Sequence, residues 1–563
     1  MTRRFLLLTI AWLTAAWKFS SLRAKNRGTE DELEDPYAGV DWDVCEYLHS
    51  MSHQHQGQTD ASRDLFHAMG YRHFAFSNYY PSAPTFPLPS QYRAARTDVI
   101  AAPNAEQHSF PDTPLHFNSL GSLLATGYGS SLSAAQRAAA PIQHRFENLR
   151  VYAAEHPWNG VYRLDITLES AEASTSPAEE KESGKESATA LLTITGARQC
   201  DFREGFADKG PVADRPLAAG RHTLHLRALA TEIDLALVYD KARLQVTRLR
   251  LMQGSNRPWR DVFRAALDGE IVAGERVGGL LHPDGGGITL NHPTRTLEEY
   301  APMLDHDPRV LGIEVWNQLT SGFGSARGFY STEAGPHLHF YRLWDEILKS
   351  GRRCWGFFVK DHNTYGRGRN ILVVPGLEGL SPEEREATAL RAYRRGTFFG
   401  SVAALAVNEE GKTVAPYDHS EFRFRRLLVR RDDAGRALAV SVAVTGQDHT
   451  KRPNLQIRFV TDRGIARIVD AAEAEFPLER DETGEIEPLF VRVEAFAYPD
   501  THARGKPLTA EALRRMDVST ISLLHDHLLE KGPGFFGGPH ELRVPVPIVD
   551  MIFSQPFRRL RNA

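Results

Sequence analysis

Gly287-Ile288-Thr289-Leu290-Asn291-His292-Pro293, followed a helix-length interval later by Val310-Leu311-Gly312-Ile313-Glu314-Val315, sets the expected fold class. Both runs are short and almost wholly apolar, as strands buried on two faces are. The pattern continues on either side. A helix is predicted near Asp261 to Leu267, another over Phe340 to Lys349, a strand over Trp355 to Val359 and a helix over Pro382 to Arg395. Alternation of helix and strand predicts parallel βα units, in which functional side chains gather where strands end.

The same unit occurs near the start of the chain. Val44 to Leu48 reads as a strand, Ser62 to Met69 as a helix and His73 to Phe76 as the next strand. Between the two βα regions the text changes to short alternating runs such as Tyr162-Arg163-Leu164-Asp165-Ile166-Thr167-Leu168, Leu191-Leu192-Thr193-Ile194 and Leu224-His225-Leu226-Arg227. Period-two alternation with Gly and Pro punctuation predicts an antiparallel β-sandwich. Residues 171–187 hold no large apolar side chain and read as a solvated hairpin loop. The expected architecture is therefore α/β plus β. It comprises a leader at 1–35, a βα domain in two parts at 36–145 and 256–420, a β-sandwich insert at 146–255, and a C-terminal β-sandwich-like domain at 421–563 with one helical stretch near Ala510 to Met516.

Composition agrees with several folded cores. The 563 residues exceed what one core accommodates, and 42% hydrophobic with 25% charged residues excludes a disordered or polytopic membrane chain. Lys and Arg number 67 against 71 Asp and Glu, so no basic field for nucleic acid is indicated. Cys45, Cys200 and Cys354 are too few and too scattered for a disulfide framework or a metal knuckle. Phe5 to Trp17 has the length of a signal-peptide core and is too short to span a membrane, and no small-x-small cleavage site follows it. A cytoplasmic location is favoured, with export through that segment as the alternative.

Among 23 histidines, the arrangement matters more than the number. His53 and His55 in Ser52-His53-Gln54-His55 project to one face of an extended segment and can share one ion. Asn104-Ala105-Glu106-Gln107-His108 adds a carboxylate, His116 follows it, His292 ends the strand opened by Gly287, and Asp361-His362 ends the strand opened by Trp355. Strand ends that converge on one rim would bring these metal-ligand residue types together.

These motifs, in this order, resemble the polymerase and histidinol phosphatase (PHP) superfamily of metal-dependent phosphoesterases. Its opening HxHTxxSDG is similar to His53-Gln54-His55-Gln56-Gly57-Gln58-Thr59-Asp60-Ala61, and its later Glu and His to Glu106 and His116. Its His-Pro strand end resembles Asn291-His292-Pro293, the segment after it Gly312-Ile313-Glu314-Val315-Trp316-Asn317, and its last strand Trp355 to His362. The likeness spans 41–143 and 258–400. It implies a distorted (β/α)7 barrel binding divalent zinc, manganese or iron, with His53, His55, Glu106, His116, His292 and His362 as ligands and His108 behind them.

Two departures reduce the expected ions from three to one or two. Ser77-Asn78-Tyr79 stands where the family has Thr-Asp-His, and Lys360-Asp361-His362 where it has AspxHis, which leaves Asp361 to serve one residue out of step. The implied reaction is hydrolysis of a phosphoester by metal-activated water, with Glu106 bridging the ions and Lys360 clamping a phosphate oxygen. Asn78, Tyr79, Asn291 and Arg295 are candidate substrate contacts. Arg295, Arg367 and Arg369 are phosphate candidates, for each of which a plain surface position is the simpler reading. The substrate expected is small and phosphorylated or carbohydrate-like. A degenerate barrel that binds such a ligand without turnover is the alternative, and a carbohydrate-binding or adhesion role for the β modules is a third reading. The GxSxG elbow of serine esterases is absent from the sequence, so a serine nucleophile has no support.

Overall fold

The computed structural model describes residues 33–57, 59–77, 86, 88, 90–107, 113, 115–123, 129–131, 161–170, 188–201, 207–228, 234–240, 242–253, 258–272, 275–317, 322–324, 338–362, 367–403, 406–407, 413–414, 422–445, 452–502, 505–533 and 539–560. Residues 1–32 of the expected leader, the 171–187 loop, Asn78, Tyr79 and His108 lie outside them, whereas Leu33–Glu34, at the end of that leader, is a strand paired with Phe557–Arg559.

The βα units form as local pattern predicts. Thr59 caps the helix Asp60–Ala68, its hydroxyl accepting from Ser62 N at 3.2 Å. Ser381 caps Pro382–Arg395, with Pro at the first turn and Gly396 at φ 76 ending it. Strand Glu46–Met51 runs parallel to Tyr71–Phe74, which runs parallel to Ile100–Ala101. Gly287–Leu290, Val310–Asn317 and Trp355–Val359 form a second parallel set.

These sets do not close into a (β/α)7 barrel. Strand outweighs helix among the described residues, and the two sets belong to separate open sheets. The five-stranded sheet has the order Trp355–Val359, Val310–Asn317, Gly287–Leu290, Phe117–Leu120, Glu106–Gln107, its last two strands antiparallel. In the eleven-stranded sheet, Glu46–Met51 has Gly368–Val374 as its antiparallel second neighbour. From there the ladder runs to Phe398–Val402, Asp550–Ser554 and Phe490–Tyr498. A barrel needs each strand to bond the next around a ring. Here the C-terminal strands Asp550–Ser554 and Phe490–Tyr498 belong to this sheet, while Arg423–Arg431, Ala437–Thr445 and Glu473–Pro477 form a three-stranded sheet that shares a core with it.

Where the two sheets meet, a bridge between Gln54 and Asp361 and two buried amides replace a ladder. Gln555 donates to Gly356 O at 2.9 Å and accepts from Gly356 N at 2.8 Å, and Asn370 Oδ1 accepts from Phe358 N at 3.0 Å. These bonds satisfy backbone groups that the open edge of Trp355–Val359 would otherwise bury unpaired. Gln555→Leu removes both partners of Gly356 and is expected to lower the unfolding free energy by about 2–5 kcal/mol in urea titrations. A loss under about 1 kcal/mol would show that water takes over the role.

The region read as a β-sandwich insert contributes six strands to one seven-stranded antiparallel sheet, whose seventh strand, Gly129–Ser131, comes from the segment before it. Its inward residues, including Leu164, Ile166, Leu192, Leu224 and Leu249, build a core of their own. Among the described residues, no helix is long and apolar enough to cross a membrane.

Candidate metal centre

The segment after Glu46–Met51 runs between the two sheets, and its alternation sends His53 and His55 to the same place. Their Nε2 atoms are 3.0 Å apart, and they lie 3.4 and 3.5 Å from Asp361 Oδ1. Bonds of about 2.0–2.1 Å to one tetrahedral ion would separate its ligands by roughly 3.3 Å. Glu106 Oε2 joins this group, 3.0 Å from His55 Nε2 and 3.5 Å from His53 Nε2. Its other oxygen, Oε1, faces a second group, 3.2 Å from both His116 Nδ1 and His292 Nε2. Glu106 therefore spans two clusters, His53–His55–Asp361 and Glu106–His116–His292, each with ligand atoms within 4.8 Å of one another.

The surroundings aim these atoms. Ser77 O can only accept, so His55 Nδ1 donates to it at 2.9 Å and the Nε2 lone pair is left for the cluster. His53 Nδ1 lies 2.6 Å from Glu314 Oε1, with the same result for its Nε2. Glu314 Oε2 accepts from His292 N at 2.6 Å and from Asn317 Nδ2 at 2.8 Å. Asn291 Nδ2 donates to Glu106 Oε1 at 2.9 Å. His292 and Asp361 adopt φ of 25° and 56°, two of only three non-glycine residues with positive φ among those described. Such conformations cost about 1–3 kcal/mol each and collect at functional sites.

The donor set suits a divalent cation. Asp361 Oδ1 is buried and makes no hydrogen bond among the described residues, although imidazole nitrogens surround it. Mixed imidazole and carboxylate donors match zinc, manganese or iron.

Electrostatics follow from the crowding. Burial alone would lower the His53 pKa, but the carboxylates of Asp361, Glu106 and Glu314 hold it well above the ordinary range. For Glu106, burial is outweighed by His53, His116 and His292, which hold the carboxyl well below its usual range. Burial lowers His55. Protonated His53 must give up its proton to bind an ion, so affinity is expected to rise with pH until the raised His53 pKa is passed, by up to about tenfold per unit. Metal titrations in buffers of different ionisation enthalpy check this; affinity independent of pH between 6 and 8 would contradict it.

Other predicted residues are placed elsewhere. His362 stands at the mouth, its ring stacked on His55 at 4.5 Å and its Nε2 3.4 Å from Asp361 Oδ1. Lys360 turns away from the donors: its Nζ lies 3.9 Å from Met69 Sδ and 4.8 Å from the Tyr71 ring centroid, and burial lowers its pKa well below the usual lysine range. Arg295 is exposed. Arg367 and Arg369 are buried, against the surface reading. Arg367 donates to Ala403 O, Ser522 O and Val549 O, tying the sheet to its C-terminal partners. Arg369 Nη1 lies 3.3 Å from His49 Nδ1.

Sequence reasoning passed over Glu314, Asn317 and Asn104. Asn104 Nδ2 donates to Ser52 O and Ala75 O, holding two strand-end loops together. A signal existed for Glu314, the single charged residue in an eight-residue buried strand. No protein-family model and no curated protein matches the chain.

Proposed function

We propose that the protein is a metal-dependent hydrolase that cleaves a small phosphoester. The observation carrying this reading is a single carboxylate, Glu106, placed between two buried donor groups, His53–His55–Asp361 and His116–His292. Divalent ions bound there would supply Lewis acidity, bringing the pKa of a water toward neutrality and neutralising phosphoester oxygens. Glu106 shares its two oxygens between the groups. Glu314 fixes the tautomer of His53 and the backbone of His292. His116 and His362, whose side chains are 33% and 41% exposed, face an incoming substrate.

A second reading, a ligand-binding protein without turnover, draws on the absence of a cation beside the donors among the described residues. Lys360, Arg367 and Arg369 are all committed elsewhere. Metal analysis of the full chain, with release assays on p-nitrophenyl phosphate and bis-p-nitrophenyl phosphate in manganese or zinc, separates the two. Turnover that disappears in His53→Ala/His55→Ala along with the metal, while the melting transition persists, supports the hydrolase. Stoichiometric ion binding with no release from either ester supports the second reading, and unaltered metal content in the double variant would show the donors to be wrongly chosen.

A further inference from the structure

The strand Trp355–Val359 leads at one end to Asp361 and the donor groups. Its other end opens onto a cavity of about 660 Å3. At about 3.3 Å per residue the two sites are roughly 20 Å apart. The cavity is built from four parts of the chain: the segment 34–45, the start of Trp355–Val359 with Arg353 before it, the end of Gly368–Val374 with Pro375, and the second half of the helix Pro382–Arg395 with Thr397.

Its charges do not balance. Arg353 donates to Pro308 O, and Arg394 donates to Gly286 O at 2.6 Å and Gly285 O at 3.2 Å. Neither has a carboxylate partner among the described residues. Arg395 is exposed and also has none. Four arginines, Arg353, Arg391, Arg394 and Arg395, line the cavity against three acids, of which Glu34 pairs with Arg558 at 2.9 Å while Asp35 and Asp41 accept from the backbone amides of Tyr37 and Asp43; Arg391 pairs with Asp284 at 3.2 Å. Burial, together with Arg309 and Arg353, pushes Arg394 down to about 10. Partly buried cations that outnumber the carboxylates around them favour an anionic partner. Val40, Val44, Trp355, Val373 and Val374 give the wall an apolar part. Val44, 66% exposed, is the most exposed of the large hydrophobic residues described, and it lines the same cavity as Val40 and Trp355. An apolar wall with a few convergent polar groups is the usual make-up of a small-molecule site.

We propose that this cavity binds a small molecule whose dianionic head, a phosphate or a pair of carboxylates, meets Arg353, Arg394 and Arg395 and whose apolar body lies against Val40, Val44 and Trp355. The site is separate from the metal centre and does not depend on its chemistry. Arginine forks match both kinds of oxyanion.

Phenylphosphonate and phthalate are the probes, each titrated calorimetrically into the full chain with and without a chelator. Location is read from Cys45, a partly buried thiol in the cavity wall, by its rate of alkylation with N-ethylmaleimide, resolved peptide by peptide by mass spectrometry. Saturable binding of at least one probe is expected with chelator present, together with slower Cys45 alkylation. Arg395→Glu and Arg353→Met should each weaken binding about tenfold, the worth of one charge-assisted contact. The better-bound probe identifies the head group. The proposal is overturned if neither probe binds, if both variants bind as wild type does, or if chelator abolishes binding and manganese restores it, which would assign the heat to the metal centre.

Discussion

Glu106→Ala is expected to strip ions from both donor groups at once and to abolish phosphoester release. Apparent binding energies near 10–16 kcal/mol, divided over four ligands, give roughly 3 kcal/mol per donor, or more than a hundredfold in affinity. Glu106 is a donor to each group, its Oε2 3.0 Å from His55 Nε2 and its Oε1 3.2 Å from His292 Nε2. A ligand belonging to one ion alone would remove half of the metal on mutation, whereas this one should remove nearly all. Elemental analysis after dialysis at equal free metal measures the outcome. Retention of the wild-type stoichiometry would refute the shared position of Glu106.

The second large effect concerns a residue that would touch no ion. Glu314 is wholly buried and takes hydrogen bonds from His292 N and Asn317 Nδ2 while facing His53 Nδ1. Glu314→Ala takes this acceptor from His292 N and His53 Nδ1 and leaves Asn317 Nδ2 with its longer bond to Asp361 Oδ2 at 3.2 Å. The expected loss in unfolding free energy is about 3–5 kcal/mol, the scale for breaking a buried charged network. Metal affinity should fall about 10–100-fold, because His53 loses the group that sets its tautomer. Glu314→Gln keeps the shape and one acceptor oxygen, so it should recover much of the stability while His53 remains poorly oriented. Urea unfolding followed by metal titration separates the two effects; a Glu314→Ala chain that keeps wild-type affinity would reduce Glu314 to a packing group.

Much of the centre was legible because ligand chemistry leaves a local mark. His53 and His55 two apart, Glu106, and the strand-ending His292 each advertise a donor where a strand gives way to a loop. Asp361 was readable only as an alternative to its neighbour Lys360. Which of the two turns to the donors depends on a φ of 56° at Asp361, a left-handed backbone that the surrounding packing imposes and residue type does not announce. Arg367 and Arg369 were misread because exposed arginine is the common case, and their burial depends on carbonyls from strands and turns far along the chain, or on a histidine in the neighbouring strand.

By itself, the sequence determined the elements and the donors: short apolar runs, capped helices and spaced imidazoles are written in neighbouring residues, whose periodicity governs local conformation. Only the tertiary structure decided that the βα units form two open sheets in place of a closed barrel. Strand partners compete for the same backbone donors and acceptors, and nothing in Glu46–Met51 foretells that Gly368–Val374, backed by strands from the far end of the chain, takes its second edge. The same long-range pairing sets Asp361 beside His53 and leaves the arginines of the opposite end facing a cavity.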